Sequence, residues 1–140
     1  MNIPDVNVLL NAANVVSPHH RIAKNWFENA YNNNEPIGYA WVAMLGFIRL
    51  STKRGILRDP LPIDVCLGVV DKLLNHPAAS IVQATERHAG IVGRLLMSAG
   101  TAGNLTTDAH LAALAIEHRA TLVTFDRDFE RFAGLKVKYL

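Results

Sequence analysis

Short apolar segments alternate with longer segments of helical periodicity along this 140-residue chain. Strand-like runs occupy residues 1–4, 36–40, 79–83 and 121–125, and residues 135–140 form a possible fifth. Strands that alternate with helices favour a parallel sheet covered on both faces, with right-handed crossovers between the strands. The sequence therefore predicts an α/β domain whose functional groups gather beyond the carboxyl ends of the strands.

The composition fits one domain spanning residues 1–140, because half of the residues are hydrophobic and can build a single core. Cys66 is the only cysteine, so no internal disulfide forms, and its apolar position within a helix predicts that it is a core residue. Polar residues interrupt every apolar stretch before it reaches the roughly 18 residues of a membrane span. Since the chain also starts without a basic and apolar leader, we expect a soluble cytoplasmic protein with no membrane partner.

Apolar residues at helical spacing identify the helices that follow the strands. We expect a mostly buried helix over residues 41–50, and a helix from Ile63 that packs through one face. Core burial is the expectation for the large aromatic side chains. The apolar positions that identify the helices are Trp26, Phe27, Trp41, Val42, Leu45, Phe47, Ile48, Val65, Val69 and Leu73.

Three acids are predicted to lie at the same edge of the sheet. Asp5 follows the first strand, Asp126 follows the fourth, and Asp108 lies near the start of the helix that leads into the fourth. Carboxylates brought this close raise each other's pKa and destabilise a fold unless a hard divalent cation neutralises them. Oxygen ligands favour Mg²⁺ or Mn²⁺. Such a cation activates water and neutralises a phosphodiester in the transition state.

Each acid also has a purely structural interpretation. Asp5 could cap the helical turn that follows it, and Asp108 could be a first-turn acid stabilised by the helix dipole. Asp126 could cap a short helix, while Asp128 could pair with a neighbouring arginine, either Arg127 or Arg131. The combination favours the metal site, because all three caps would cluster at one sheet edge.

Other chemistries are less compatible with the sequence. There is no Gly-x-Ser-x-Gly motif, and the loop at residues 98–104 lacks the Gly-Lys-Ser/Thr of a phosphate-binding loop. The histidine spacings do not resemble a zinc site. An aspartate-based phosphotransfer domain would need an acid pair after the first strand and an acid after the third, and neither is present. His110, two residues past Asp108, could contact substrate or a carboxylate, or serve the fold.

Positive charge is unevenly distributed although the formal net charge is only +2. Arg49, Lys53, Arg54 and Arg58 fall within ten residues. This group could be a solvated helix end and loop, or a surface that binds the phosphates of a nucleic acid.

Three segments, "IPDVNVLLNA", "WVAMLGFIRL" and "NLTTDAHLAALAIEHRATLVTFDRDF", together resemble the PIN domain of VapC-type toxin ribonucleases. The resemblance covers essentially the whole chain. It implies a three-layer α/β/α fold with a four- to five-stranded parallel sheet, and a Mg²⁺- or Mn²⁺-dependent endoribonuclease. It also implies a homodimer and a cognate VapB-type antitoxin.

The same resemblance implies roles for individual residues. Asp5, Asp108 and Asp126 match three of the family's metal-binding and catalytic acids, with Asp128 as a supporting acid. Next to an RNA-cleaving site, the basic segment would hold RNA phosphates, with an affinity that falls steeply with salt. The residues implied in that role are Arg49, Lys53 and Arg54.

The sequence departs from the family pattern at one position. The family has a glutamate in a segment like Ala-Glu-Leu-x-Arg, where "MLGFIRL" has Gly46. Three outcomes remain open: the site works with fewer carboxylates, another side chain compensates, or the protein is a PIN-fold binding module that binds antitoxin or RNA without efficient cleavage. The candidates for compensation are Asp128, Glu35, Asn7 and His110.

Overall fold

The fold is built on one sheet of five parallel strands, seen in a computed structural model that describes residues 1–140. The strand order is β3-β2-β1-β4-β5, and each neighbouring pair is parallel. This confirms the predicted parallel sheet, including the possible fifth strand. The strands are β1 (Asn2–Pro4), β2 (Ile37–Ala40), β3 (Ala79–Val82), β4 (Thr121–Thr124) and β5 (Lys136–Tyr139).

Six α-helices connect the strands. They are α1 (Val6–Ala13), α2 (His20–Asn32), α3 (Trp41–Thr52), α4 (Ile63–Leu74), α5 (His88–Ala99) and α6 (Thr106–Glu117), and two short 3₁₀ helices cover Gly103–Leu105 and Arg127–Arg131. Helix α5 ends at Gly100, whose φ of 72° lies in the left-handed region that glycine adopts without strain. None of the helices combines the length and apolar character that crossing a bilayer requires.

The helices form a layer on each face of the sheet, as predicted for a three-layer α/β/α fold. Helices α1 to α4 pack against one face through a core that includes Tyr39 and Val123. Helices α5 and α6 pack against the other through a core that includes Ile3 and Leu122. The neighbouring residues Leu122 and Val123 belong to different cores because side chains alternate across a strand.

The prediction of a mostly buried helix over residues 41–50 is wrong in part. Phe47 is fully buried, but Trp41 and Leu45 are 45% and 59% exposed. The buried stripe of α3 contains Ala43, Met44, Phe47 and Ser51, at the spacing of one helix face. Trp41 and Leu45 lie outside this stripe, so their side chains remain at the surface beside the carboxyl edge of the sheet.

A similar correction applies to α4. Val65 is exposed, whereas Cys66 and Val70 are buried and Val69 and Leu73 are partly buried. The helix therefore packs through a face rotated by one residue from the predicted one. The prediction for Cys66 is confirmed, because its thiol is buried 3.3 Å from the Ser51 hydroxyl.

The strand order places a topological switch point between β1 and β4. From β1 the chain builds β2 and β3 on one side of the sheet, and it then builds β4 and β5 on the other. In open α/β sheets, ligands bind in the crevice beyond the carboxyl ends of the strands at such a point. Asp5 follows β1 and Asp126 lies two residues after β4, so both lie at this crevice.

Candidate active site

Asp5 is fixed at the end of β1 by three hydrogen-bond donors. Its Oδ1 accepts from the backbone N of Val6 at 2.6 Å, and its Oδ2 accepts from Asn7 Nδ2 at 2.7 Å and Thr124 Oγ1 at 2.8 Å. The residue is also the N-cap of α1, as its structural interpretation requires. One carboxylate thus both starts a helix and faces the switch-point crevice.

Burial raises the pKa of Asp5 from 3.8 to about 6. Hydrogen bonds from Thr124 and Val6 oppose the rise, and the negative charges of Asp108 and Asp126 add to it. A carboxylate is costly to bury without a compensating charge. The electrostatics of the site therefore favour a bound cation.

The Thr124 hydroxyl links the acids that follow β1 and β4. Besides donating to Asp5, Thr124 Oγ1 accepts from Asn7 Nδ2 at 2.9 Å and from the backbone N of Asp126 at 3.0 Å. Asp126 in turn caps the following 3₁₀ helix by accepting from the backbone N of Asp128 at 2.8 Å. Thr124 was not among the predicted site residues, although a hydroxyl at the last position of a strand, two residues before an acid, was a usable signal.

Asp108 lies in the first turn of α6 and is half-buried. Together with Asp5 and Thr107 it lines a cavity of about 50 Å³. Burial raises the pKa of Asp108, the charges of Asp126 and Asp128 raise it further, and Arg131 opposes the rise. Asp5 and Asp108 therefore lie at one cavity, and the charge of Asp126 acts on both.

These acids suit a hydrated cation better than a closed coordination shell. No group of three or more His, Cys, Asp or Glu side chains lies close enough to ligate one metal ion directly. Mg²⁺ typically keeps several water ligands and is held by one or two carboxylates. Hard oxygen donors with raised pKa values beside a cavity that can hold water match that chemistry.

His110 belongs to a chain of hydrogen bonds between α5 and α6. Its Nδ1 lies 2.7 Å from His88 Nε2, and His88 Nδ1 lies 2.8 Å from the Glu117 carboxylate. Glu117 also accepts from the Thr85 hydroxyl at 2.5 Å. Burial lowers the pKa of His110, and His88 lowers it further. His88 and Glu117 were not among the predicted residues, because they are 29 residues apart and no local pattern joins them.

The basic segment lies at and beyond the end of α3. Arg49 lines a groove of about 330 Å³ whose wall also contains Val6 and Thr107, next to the acids. Lys53 and Arg54 are exposed just past the helix, further from the carboxyl edge. The intramolecular ion pairs of the chain involve other residues, so these three cations are available to a ligand.

The chain matches the PIN domain over residues 3–135. It belongs to the PIN-domain family. This PIN domain is 46% identical to Ribonuclease VapC37 of Mycobacterium tuberculosis over 136 residues, which cover 97% of this chain and 94% of that protein. It is 40% identical to Ribonuclease VapC33 of the same species, with 97% and 95% covered. The resemblance read from the sequence is thereby confirmed.

A solved structure supports the fold. VapBC2 from Rickettsia felis, bound to a DNA fragment from its promoter, contains a chain that superposes on this PIN domain with a TM-score of 0.72 and 20% identity. The superposition covers 99% of this chain and 98% of that chain. At this identity the similarity establishes the three-layer fold.

Gly46 stands where the family resemblance implies the second of the four acids. It lies on α3 and lines the groove that contains Arg49. A Cβ built on Gly46 would lie 3.0 Å from Val6 Cγ2, directly after Asp5 in the chain. A side chain at position 46 would therefore need Val6 to move by a few tenths of an ångström.

Two of the four candidates for replacing the missing acid have other roles, and one lies at the wrong edge of the sheet. Asn7 orients Asp5, and His110 belongs to the hydrogen-bond chain with His88. Glu35 accepts from Asn2 Nδ2 at 2.9 Å at the amino ends of the strands, so it is too distant. Asp128 is exposed and its charge acts on Asp108, which leaves it as the carboxylate with access to the site.

The structure also settles how Asp128 is paired. Its Oδ1 lies 3.4 Å from Arg131 Nη2, whereas Arg127 pairs with Glu130. Both members of the Asp128–Arg131 pair are well exposed, and exposed pairs of this kind contribute little to stability. Asp128 can therefore leave Arg131 at small cost.

Proposed function

We propose that this PIN domain is a divalent-metal-dependent endoribonuclease and the toxin of a VapBC-type toxin–antitoxin pair. The observation that supports the proposal is that Asp5 and Asp108 line one cavity at the β1–β4 switch point, where the charge of Asp126 acts on both. The proposal is supported by the 46% identity to a ribonuclease over nearly the whole chain.

The chemistry proposed for the site is hydrolysis of an RNA phosphodiester. Asp5, Asp108 and Asp126 would hold Mg²⁺ or Mn²⁺ through carboxylate oxygens and water. Bound there, the cation supplies a water of lowered pKa and neutralises charge on the phosphate. Asn7 and Thr124 orient the Asp5 carboxylate through hydrogen bonds, and Asp128 would be the supporting acid, since its charge acts on Asp108.

RNA binding is assigned to the basic residues at and beyond the end of α3. Arg49 lies in the groove that adjoins Val6 and Thr107, so it can hold a phosphate beside the scissile one. Lys53 and Arg54 continue the positive surface past the end of α3. Contacts of this kind give sequence-independent affinity that depends on salt.

The antitoxin is assigned to an apolar groove on the α1–α4 face. The groove has a volume of about 310 Å³, and eight of its ten lining residues are hydrophobic, including Leu9, Ala13, Phe27 and Phe47. Apolar grooves between helices accept the apolar face of a partner helix. We expect the occupant to be an apolar segment of a VapB-type antitoxin, since VapBC2 of Rickettsia felis is a complex of the two protein types.

A substitution in the groove tests this assignment. Ala13→Arg places a charge in the apolar groove, so antitoxin co-expressed with the variant should no longer co-purify with it. RNA cleavage by the variant should persist, because Ala13 lies at the end of α1 furthest from Asp5. Co-purification at the wild-type level would contradict the assignment.

We further propose that the protein is a homodimer and acts in the cytoplasm, as the family resemblance implies. Light scattering of the purified chain should give the molar mass of two chains. With antitoxin bound, the molar mass should be that of two copies of this chain plus the antitoxin. A monomer under both conditions would contradict the dimer.

Cleavage of RNA by the purified chain tests the activity. The chain freed of antitoxin should cleave single-stranded RNA with Mn²⁺ or Mg²⁺, and not with a chelator. Asp5→Asn and Asp108→Asn should each abolish cleavage, while Asp64→Asn at the exposed start of α4 should not. If the folded wild-type chain leaves RNA intact both with Mn²⁺ and with Mg²⁺, the enzyme proposal fails and the alternative of a PIN-fold binding module stands.

A further inference from the structure

A second concave surface adjoins the carboxylate site on the α5–α6 face. It is a cleft of about 590 Å³, lined on α5 by His88, Ala89, Val92 and Gly93, and on the α6 side by Thr106, Thr107 and His110. Its volume is within the range of small-molecule sites. The proposed catalytic carboxylates do not line it.

The cleft is connected to the site at two residues. Val42 and Thr107 line this cleft, the cavity beside Asp5 and Asp108, and the groove that contains Arg49. A polynucleotide whose phosphate lies over the acids can therefore extend towards Arg49 on one side and into the α5–α6 cleft on the other.

The lining of the cleft suits an uncharged group. No lysine or arginine lines it, so no permanently charged side chain there would neutralise a phosphate. Ala89 and Gly93 leave a flat wall on α5, and a Cβ built on Gly93 would meet no atom within 4 Å. The imidazoles of His88 and His110 form the polar part of the wall, and histidine rings are among the side chains on which unpaired RNA bases stack.

The hydrogen-bond chain leaves one nitrogen free for a ligand. In the neutral pair, His88 Nδ1 donates to the Glu117 carboxylate, so His88 Nε2 accepts from His110 Nδ1. His110 Nε2 is then an acceptor with no partner in the chain. Among buried side-chain nitrogen and oxygen atoms, only Tyr139 Oη has no hydrogen-bond partner. His110 Nε2 also has no partner in the chain, so it is not one of the buried atoms and is accessible to solvent.

We propose that the α5–α6 cleft binds the nucleoside adjoining the scissile phosphate, with His110 Nε2 accepting a hydrogen bond from its ribose hydroxyl or base N–H. Glu117 and His88 act as positioning residues that fix the His110 ring. The inference rests on the proposed ribonuclease function, because it assigns a subsite to the same RNA. The proposed contact with His110 involves no charged group, in contrast to the phosphate contact proposed for Arg49.

The test measures affinity for a fluorescein-labelled single-stranded RNA octamer by fluorescence anisotropy in the presence of Mg²⁺. Every substitution is made in an Asp126→Asn background, so that the RNA is not cleaved during the measurement. Gly93→Phe fills the cleft, and His110→Ala removes the acceptor. Each should weaken binding roughly tenfold, as the loss of one stacked or hydrogen-bonded base does. His110→Gln, which returns an amide oxygen near Nε2, should recover most of the affinity.

The matched control for the filled cleft is Gly68→Phe. Gly68 lies on α4, also has no atom within 4 Å of a built Cβ, and lines no cavity near the acids. The affinity of the Gly68→Phe variant for the octamer should equal that of the Asp126→Asn background variant. Because the cleft contacts no phosphate, Gly93→Phe and His110→Ala should lower affinity equally at all salt concentrations, leaving the salt dependence unchanged.

A DNA octamer of the same sequence identifies the donor. If His110→Ala weakens binding of RNA only, the donor is the 2′-hydroxyl, and if it weakens both, the donor is on the base. Wild-type affinity in Gly93→Phe and His110→Ala, or a reduced salt dependence in either, would overturn the proposal. Failure of the function itself would be recognised separately, since wild-type chain would then bind the octamer without cleaving it.

Discussion

At the scale of single residues, Asp5 makes stability depend on pH. Its pKa is raised from 3.8 to about 6, so between these values the folded chain binds the proton more tightly than the unfolded chain. The free energy of unfolding should therefore fall as pH rises from about 4 to 6, by at most about 3 kcal/mol, and then level off. Urea unfolding across this range measures the effect.

A divalent cation should offset that loss, because it neutralises the Asp5 charge. Millimolar Mn²⁺ should raise the melting temperature more at pH 7.5 than at pH 5, where Asp5 is protonated. Asp5→Asn should remove the Mn²⁺ effect and the Asp5 contribution to the pH dependence, leaving the part that Asp108 contributes. Asp64→Asn is the control for loss of one surface charge. An equal Mn²⁺ effect at both pH values would contradict this account of the site.

Thr124 provides the second prediction at the residue scale. Thr124→Val keeps the shape but removes a buried hydroxyl that serves Asp5, Asn7 and Asp126. The free energy of unfolding should fall by about 1–3 kcal/mol, and RNA cleavage should slow. Thr124→Ser should retain both properties. Thr121→Val, at the other end of β4, is the control, and an effect there as large as at Thr124 would argue against a specific role of the hydroxyl.

At the scale of elements, α3 carries the phosphate-binding side of the site. Arg49→Ala should weaken RNA binding and reduce the slope of log affinity against log salt by about 1, the contribution of one phosphate contact. Lys136→Ala, at the amino end of β5 and so at the opposite edge of the sheet, should leave the slope unchanged. Anisotropy measured between low and physiological salt distinguishes the two outcomes.

The same helix allows the missing acid to be restored. Gly46→Glu improves helix propensity by about 0.5–1 kcal/mol but brings its Cβ within 3.0 Å of Val6. In a Val6→Ala background the contact is relieved, so with Mg²⁺ present Gly46→Glu should stabilise the chain and raise the rate of RNA cleavage. In the wild-type chain, which keeps Val6, Gly46→Glu should increase stability and cleavage rate by less. Unchanged cleavage in the double variant would mean that the site does not use a fourth carboxylate at position 46.

The elements were largely predictable from the sequence, because hydrophobic periodicity and the residues at strand ends act locally. The exposed positions of Trp41 and Val65 were not, since periodicity identifies an apolar face without saying how much of it a neighbouring helix covers. The Glu117–His88–His110 chain was equally invisible. It depends on how α5 packs against α6, and no spacing within one segment records that contact.

At the scale of the whole molecule, the order β3-β2-β1-β4-β5 determines where the chemistry lies. The switch point places Asp5 and Asp126 at neighbouring strand ends, and the start of α6 adds Asp108. The groove with Arg49 and the cleft with His110 meet at Thr107 beside these acids. A single crevice can thus serve cation, phosphate and nucleoside.

Calorimetric titration of the antitoxin-free chain with Mn²⁺ at pH 7.5 tests the central claim, that these carboxylates form a divalent-cation site. We predict saturable binding to the wild-type chain, at least tenfold weaker binding to Asp126→Asn, and no change for Asp64→Asn. Absence of Mn²⁺ binding to the folded wild-type chain, or wild-type affinity in Asp126→Asn, would contradict the claim.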